Sequence, residues 1–469
     1  MKPIRTRLAV SVYGVQWALL LLAAPFLLFP TPRRSLALLV VPVLWIIIGL
    51  ATRKPLPNTP LNLPILLVML MVLVSLYATY DVAFSLPKIA GIVLGVGMYF
   101  AFVQAGTGGK GLRVVAMLVF LACGLGVAGL GLLGTQWATK FDFLKPLSAR
   151  LPFLIKGLPG ADSGFNPNEV AGALLWVLPL LMVGTGLAFF RLKWLATRIG
   201  WGWTVAGALL LLLAAGFTGG VFFLTQSRSG LIGLAAGMVL LLAMLFRRGR
   251  WRLAYLACLV LLTAGLGVTA WRLGWAQQLY SATTPGNDTA ATLDTFNGRV
   301  EVWRRAIYGI QDFPITGMGM NTFRKVVNVL YPFYTIDPSY DIGHAHNEFL
   351  QAALDLGLPG LVGFVALYLV SFWMLAQTWR SVERVTAEGG ITEGITTPGI
   401  RGLLSSPVGV KALVLGLGGG LLAHAIFGLT DAVALGAKPG ILFWMLLGLV
   451  ACLYQQQRQL SRVEAVRDD

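Results

Sequence analysis

The chain has 469 residues, of which 57% are hydrophobic and only 12% are Asp, Glu, Lys or Arg. A water-facing surface needs about twice that charge, and apolar stretches long enough to cross roughly 30 Å of hydrocarbon recur from end to end. A soluble enzyme, a disordered chain and a singly anchored protein are excluded, leaving a polytopic integral membrane protein.

In chain order the hydropathy pattern predicts twelve spans, at 8–29, 35–51, 62–79, 88–105, 112–134, 168–189, 203–225, 229–246, 253–273, 347–377, 409–430 and 438–454. The first follows Lys2, Arg5 and Arg7 and is too long for a signal peptide, so it reads as a membrane helix. The organisation is helices 1–5 over 1–134, a loop at 135–167, helices 6–9 over 168–273 and a long loop at 274–346. Helix 10 follows over 347–377, then a linker at 378–408, then helices 11 and 12 with a tail over 409–469. No internal repeat and no matched pair of broken helices points to a transporter. Cys123, Cys258 and Cys452 all fall in apolar spans and read as small core residues.

Thirty-six Lys and Arg against nineteen Asp and Glu give a net charge of +17. In a soluble protein this balance suggests nucleic acid; here it suggests basic loops at an anionic leaflet and no nucleic-acid partner. With a cytoplasmic N-terminus, 21 of the 36 basic residues fall on the cytoplasmic side and only 5 in the short outer loops. Both termini are therefore expected in the cytoplasm, with the loops 135–167 and 274–346 on the opposite face. Six acids accompany those 21 basic residues, so nearly all the excess charge describes topology and not substrate.

Four outer-face fragments carry possible chemistry. Gly164-Phe165-Asn166-Pro167-Asn168-Glu169 opens span six; it is ordinary turn-and-cap sequence, with Asn168, Asp162 and Glu169 as polar residues without a defined task. Gln226-Ser227-Arg228-Ser229-Gly230 is a short turn between spans seven and eight. Arg228 there reads either as an interfacial arginine or as a guanidinium fork for a lipid-linked phosphate.

The third fragment is Asn297-Gly298-Arg299-Val300-Glu301-Val302-Trp303-Arg304-Arg305, with Asn297 as a plausible N-cap. Val300, Trp303, Ile307 and Ile310 recur at helical spacing and predict an amphipathic helix with that face towards the membrane body, where it could rest on the bilayer. Arg299 then borders the apolar face and is the better anion ligand, Arg304 is intermediate, and Arg305 is expected on the solvated side, one turn after Glu301.

The fourth is Gly343-His344-Ala345-His346-Asn347-Glu348, where span ten begins. At i,i+2 spacing the two rings are not expected to share a metal ion, and neither metal nor cofactor is expected. A neutral histidine at a helix N-terminus suits a general base for a hydroxyl nucleophile, with helix capping as its simpler alternative. His424 within span eleven is expected to form a helix-to-helix hydrogen bond, while Asp431 and Lys438 at its outer end have no evident role.

His346-Asn347, nine residues and then Gly357-Leu358-Pro359-Gly360 resemble the histidine signature of bacterial O-antigen ligases and O-antigen polymerases. The Arg228 turn, the Arg299 helix and Pro314-Ile315-Thr316-Gly317-Met318-Gly319 stand in the matching order over roughly 160–375. Leu361 occupies the place where ligase-type sequences often carry Thr, so ligase and polymerase stay open. The resemblance implies an all-α, GT-C-like membrane fold of about twelve helices, with an amphipathic helix in its long periplasmic loop. It implies a metal-independent, inverting glycosyltransferase of the bacterial inner membrane. The donor would be an undecaprenyl-diphosphate-linked glycan and the acceptor lipid A-core, or a further carrier-linked repeat in a polymerase. By the same resemblance His346 is the base and Arg228 and Arg299 bind the diphosphate, with His344, Arg304, Asn347, Asn168 and Glu169 as secondary positions.

Overall fold

The computed structural model describes residues 16–28, 31, 33–53, 56–107, 110–137, 144–155, 157, 164–245, 296–337, 339–387 and 400–468. Among them no strand forms, and one isolated β-bridge joins Thr135 to Phe165. Among the described residues six helices are long and apolar enough to cross a membrane, and a bent pair is a seventh if counted as one span. Four shorter apolar helices accompany them. Each predicted span except the ninth coincides with a described apolar helix; the ninth lies outside the described residues, as does Asp162.

We label α1 Gln16–Leu28, α2 Val40–Thr52, α3 Asn62–Ala78, α4 Val82–Thr107, α5 Lys110–Gly134, α6 Pro167–Leu175, α7 Leu178–Phe190 and α8 Leu192–Ile199. The series continues with α9 Trp201–Leu224, α10 Arg228–Leu245, α11 Phe296–Asp312, α12 Phe323–Leu330, α13 Glu348–Ala387, α14 Pro407–Phe427 and α15 Ile441–Asp468. The core is built by α15 on α4, α14 on α10 and α7, and α13 on α3 and α15. Small residues let these helices approach closely, as lipid-embedded helices require. At Gly95 a Cβ would lie 2.1 Å from the Trp444 ring, so only glycine leaves room for that indole.

Two predicted spans are not continuous. Span six breaks at Trp176-Val177 into α6 and α7, bent by 46°. Pro179, in the first turn of α7, supplies no N–H to the preceding turn, which explains the break. Span ten is kinked at Gly357, whose φ of +69° is left-handed. It also runs ten residues past the predicted end, into the expected linker.

The kink receives the loop 313–320. Leu358 N donates to Pro314 O at 2.7 Å and Met318 N to Leu354 O at 2.7 Å. A Cβ on Gly357 would sit 2.1 Å from Ile315 O. The first glycine of the histidine signature thus holds the Pro-Ile-Thr-Gly-Met-Gly loop.

Candidate functional site

The site assembles where loops meet helix ends at one end of the bundle. Ser227 caps α10: its Oγ accepts the Gly230 N–H at 3.2 Å, leaving Arg228 as the first helical residue. Arg228 is exposed and forms no ion pair among the described residues, while Ser229 beside it is buried. Asn166 caps α6, its Oδ1 accepting Asn168 N at 2.8 Å. Asn168 is buried, and the neighbouring Glu169 is half-buried and feels the charges of Lys88, Asp431, Arg324 and Lys438.

Asn347 caps α13. Its Oδ1 accepts Phe349 N and Leu350 N at 3.0 Å each, and its Nδ2 donates to Leu429 O at 2.9 Å. Capping is therefore the work of Asn347 and not of a histidine. His346 directly precedes it with φ at +46°, a left-handed conformation uncommon outside glycine. Two contacts fix that backbone: His346 N donates to His344 Nδ1 at 3.1 Å, and Trp303 Nε1 donates to His346 O at 3.1 Å. Ala345 N donates to Gln351 Oε1 at 2.8 Å, closing the turn.

So held, the His346 ring has Nδ1 3.4 Å from Asp431 Oδ1, and its side chain is 12% exposed. Asp431 is buried, and its other carboxylate oxygen accepts from the Arg299 guanidinium at 3.0 Å. Arg299 also donates to Ser229 Oγ at 3.2 Å and to the Thr430 carbonyl. One carboxylate thus joins an imidazole to a guanidinium, and each of the three comes from a different part of the chain.

Burial pushes the Asp431 carboxyl upward, but contact with His346 and the charge of Arg299 outweigh it and hold the group at about 2. His344 is lowered to about 3, first by burial and then by repulsion from His346. A histidine held neutral in the fold but free to protonate when unfolded makes stability rise with pH across that interval. The contribution is complete above about 6.5 and is lost as pH falls towards 3. Thermal unfolding is therefore expected at progressively lower temperature below pH 6.5. His344→Asn, whose carbonyl can replace Nδ1 as acceptor, should flatten that dependence; an unchanged slope would contradict it.

Ligand atoms of His344, His346 and Asp431 all lie within 4.8 Å of one another, with the ring centroids of the two histidines 4.5 Å apart. The sequence expectation that these rings would not converge is corrected, because the left-handed residue folds the turn back on itself. Within this cluster His344 Nδ1 accepts the His346 N–H, and Arg299 places a cation against Asp431.

α11 is corrected in two respects. It begins at Phe296, so Asn297 lies in its first turn, and its buried face is Val302, Ala306 and Gly309 rather than Val300, Trp303, Ile307 and Ile310. Val302 and Ala306 pack with Met318, Phe323, Val327 and Leu354, while Ile307 is 43% exposed. Arg305 is consequently buried instead of solvated. It meets Glu301 Oε1 at 3.2 Å and lies over the Tyr334 ring at 4.8 Å. Glu301 also accepts from Tyr334 N and Thr335 N, which ties the loop after α12 to α11. Arg304 is exposed on the same helix.

Removing one partner of a buried pair costs about 3–5 kcal/mol. Arg305→Ala is thus expected to lower the unfolding temperature and to loosen the 331–337 loop. Proteolysis and thermal unfolding check this, and wild-type values for both would contradict it.

Sequence reasoning left Asp431 without a task and missed Ser229, Thr430 and Gln351. The one available signal was an acidic residue at the outer end of a span. These features define an all-helical, multi-pass membrane protein with a buried His–Asp–Arg constellation at one end of its bundle. Residues 210–365 match the family model described as O-antigen ligase. The match spans 156 of the 469 residues and supports the O-antigen ligase superfamily, with function of the ligase or polymerase type in general terms. The matched stretch includes Arg228, Arg299, His346 and both signature glycines; Asp431 and His424 lie beyond it. No curated protein matches the chain.

Proposed function

We propose that this protein is a glycosyltransferase that moves a glycan from undecaprenyl diphosphate to a lipid A-core hydroxyl, on the periplasmic face of the bacterial inner membrane. The observation that carries the mechanism is the His346–Asp431–Arg299 constellation. With Nδ1 turned to the carboxylate, Nε2 of His346 is left to accept a proton. Asp431 orients the ring and offsets the charge of the imidazolium that forms.

The acceptor oxygen attacks the anomeric carbon, the bond from that carbon to the phosphate oxygen breaks, and the hydroxyl proton passes to His346. Attack opposite the leaving group inverts the anomeric configuration. Undecaprenyl diphosphate departs with the bonding pair. Arg228, at the positive end of α10, and Arg299 stabilise the charge that builds on it. His344 and Asn347 position the base, and Arg304, Asn168 and Glu169 line the approach. No cofactor or metal takes part. About twelve spans in a GT-C-like arrangement, with both termini cytoplasmic, complete the topology.

A polymerase that extends carrier-linked repeats is the second reading, favoured by Leu361 directly after the last signature glycine. Purified protein given carrier-linked glycan with either lipid A-core or further carrier-linked repeats separates the two. Product on lipid A-core supports the ligase, and elongated carrier-linked product supports the polymerase. Failure of both acceptors with folded protein overturns the proposal.

A further inference from the structure

His346 stands just before α13 and Asp431 just after α14, and a second buried polar cluster joins those two helices beside the site. Glu348, two residues after His346, is 3% exposed and opens α13; His424, near the end of α14, is fully buried. Glu348 Oε2 lies 3.3 Å from His424 Nδ1, and the Tyr368 hydroxyl lies 3.1 Å from the same nitrogen. The Trp176 ring, at the break between α6 and α7, stacks on His424 with centroids 4.1 Å apart. The backbone is joined at the same level: Glu348 N donates to Gly428 O at 2.7 Å. A Cβ on Gly428 would come within 2.8 Å of Glu348 Oε2, so the carboxyl is seated directly on that glycine.

We infer that Glu348 and His424 form a buried register clamp that holds the His346 turn against Asp431, making Glu348 a positioning residue for glycan transfer. The clamp is rigidly linked to both reacting partners. Two residues of chain connect Glu348 to His346, and Gly428, on which Glu348 is seated, stands three residues before Asp431. Asn347 Nδ2 on Leu429 O is a further tie between the same two segments. Slippage of α13 against α14 would carry the imidazole away from its carboxylate without touching Arg228 or the substrate surface. Glu348 Oε2 makes no hydrogen bond among the described residues and has its 3.3 Å approach to His424 Nδ1. A slip in register would leave two buried polar groups without that contact, which favours one register over its neighbours.

The inference rests on the glycosyltransferase reading for its kinetic consequence but not for its structural one. Glu348→Ala is expected to lower kcat by about 10²-fold, the loss that a displacement of roughly 1 Å in a reacting group produces. KM for the carrier-linked glycan should stay within about threefold, since the arginines are untouched. Glu348→Gln, which keeps the size, shape and polarity of the side chain, should retain most of kcat. Gly428→Ala retains the Glu348 carboxyl but displaces it, because the new Cβ would lie 2.8 Å from Oε2. Its φ of −61° suits alanine, and it should reproduce the Glu348→Ala effect.

Hydrogen exchange followed by mass spectrometry over 343–350 and 425–432 supplies a readout independent of turnover. Exchange should be faster in Glu348→Ala and Gly428→Ala and unchanged in Glu348→Gln. Wild-type exchange in both disrupting variants overturns the clamp whatever the activity. So does loss of donor affinity in place of kcat. Faster exchange in a protein whose wild type transfers no glycan upholds the clamp and rejects the assigned reaction.

Discussion

His346→Ala is expected to reduce kcat by about 10²–10⁴-fold, the range that a positioned general base contributes, while the folded protein still binds its carrier-linked donor. The reason is geometric. Asn347 does the capping and Trp303 and His344 hold the backbone, so little of the fold depends on the imidazole itself. Asp431→Asn should produce a loss of similar order by a different route. The amide can present its N–H to Nδ1 and stabilise the tautomer with the proton on Nε2, which cannot accept from a hydroxyl. Steady-state kinetics with matched thermal unfolding separates the two from misfolding. Near-normal turnover in folded His346→Ala would remove His346 from the chemistry, and in folded Asp431→Asn it would remove Asp431 as the group that sets its tautomer.

The two arginines are expected to differ in what they support. Arg228→Ala should lower kcat/KM by roughly 10²–10³-fold, the scale of a lost charge-stabilising donor, with no change in unfolding temperature. Its side chain is exposed and forms no ion pair among the described residues. Arg299→Ala should cost the same in activity and destabilise the fold by about 3–5 kcal/mol as well, because it strands the buried Asp431 carboxylate. Lysine should not rescue position 299, since a single ammonium cannot serve Ser229, the Thr430 carbonyl and Asp431 from the geometry of a guanidinium fork. Equal stability of the two alanine variants would show that Arg299 is not the structural partner of Asp431.

Much of this was legible in the sequence. Apolar stretches placed the described membrane helices, because a span must bury its backbone polar groups within itself. The Arg228 turn, the Arg299 helix and the His346 turn were marked by residue type, and the fold brings all three to one end of the bundle. The partner of Arg299 was not legible: Asp431 lies 132 residues away, and no local pattern announces a contact at that separation.

The buried side of α11 was misread for a related reason. Its apolar residues lie all round the helix, so 3.6-residue periodicity offers two faces. The choice falls to the Met318–Phe333 cluster, which belongs to a later segment. Arg305 followed that error, since Glu301 four residues earlier suits a surface pair and a buried one equally. The kink at Gly357 was hidden because Leu358-Pro359 also suits an unbroken span, and only the incoming 313–320 loop requires the left-handed glycine.

The central claim is most directly tested by glycan transfer in purified protein, wild type beside His346→Ala, from an undecaprenyl-diphosphate donor with lipid A-core or carrier-linked repeats, each with and without EDTA. Product is expected from the wild type in both conditions, and from the variant at a rate lower by about 10²–10⁴-fold. Transfer by folded His346→Ala at close to the wild-type rate, or wild-type transfer that fails when metal is removed, would contradict this mechanism.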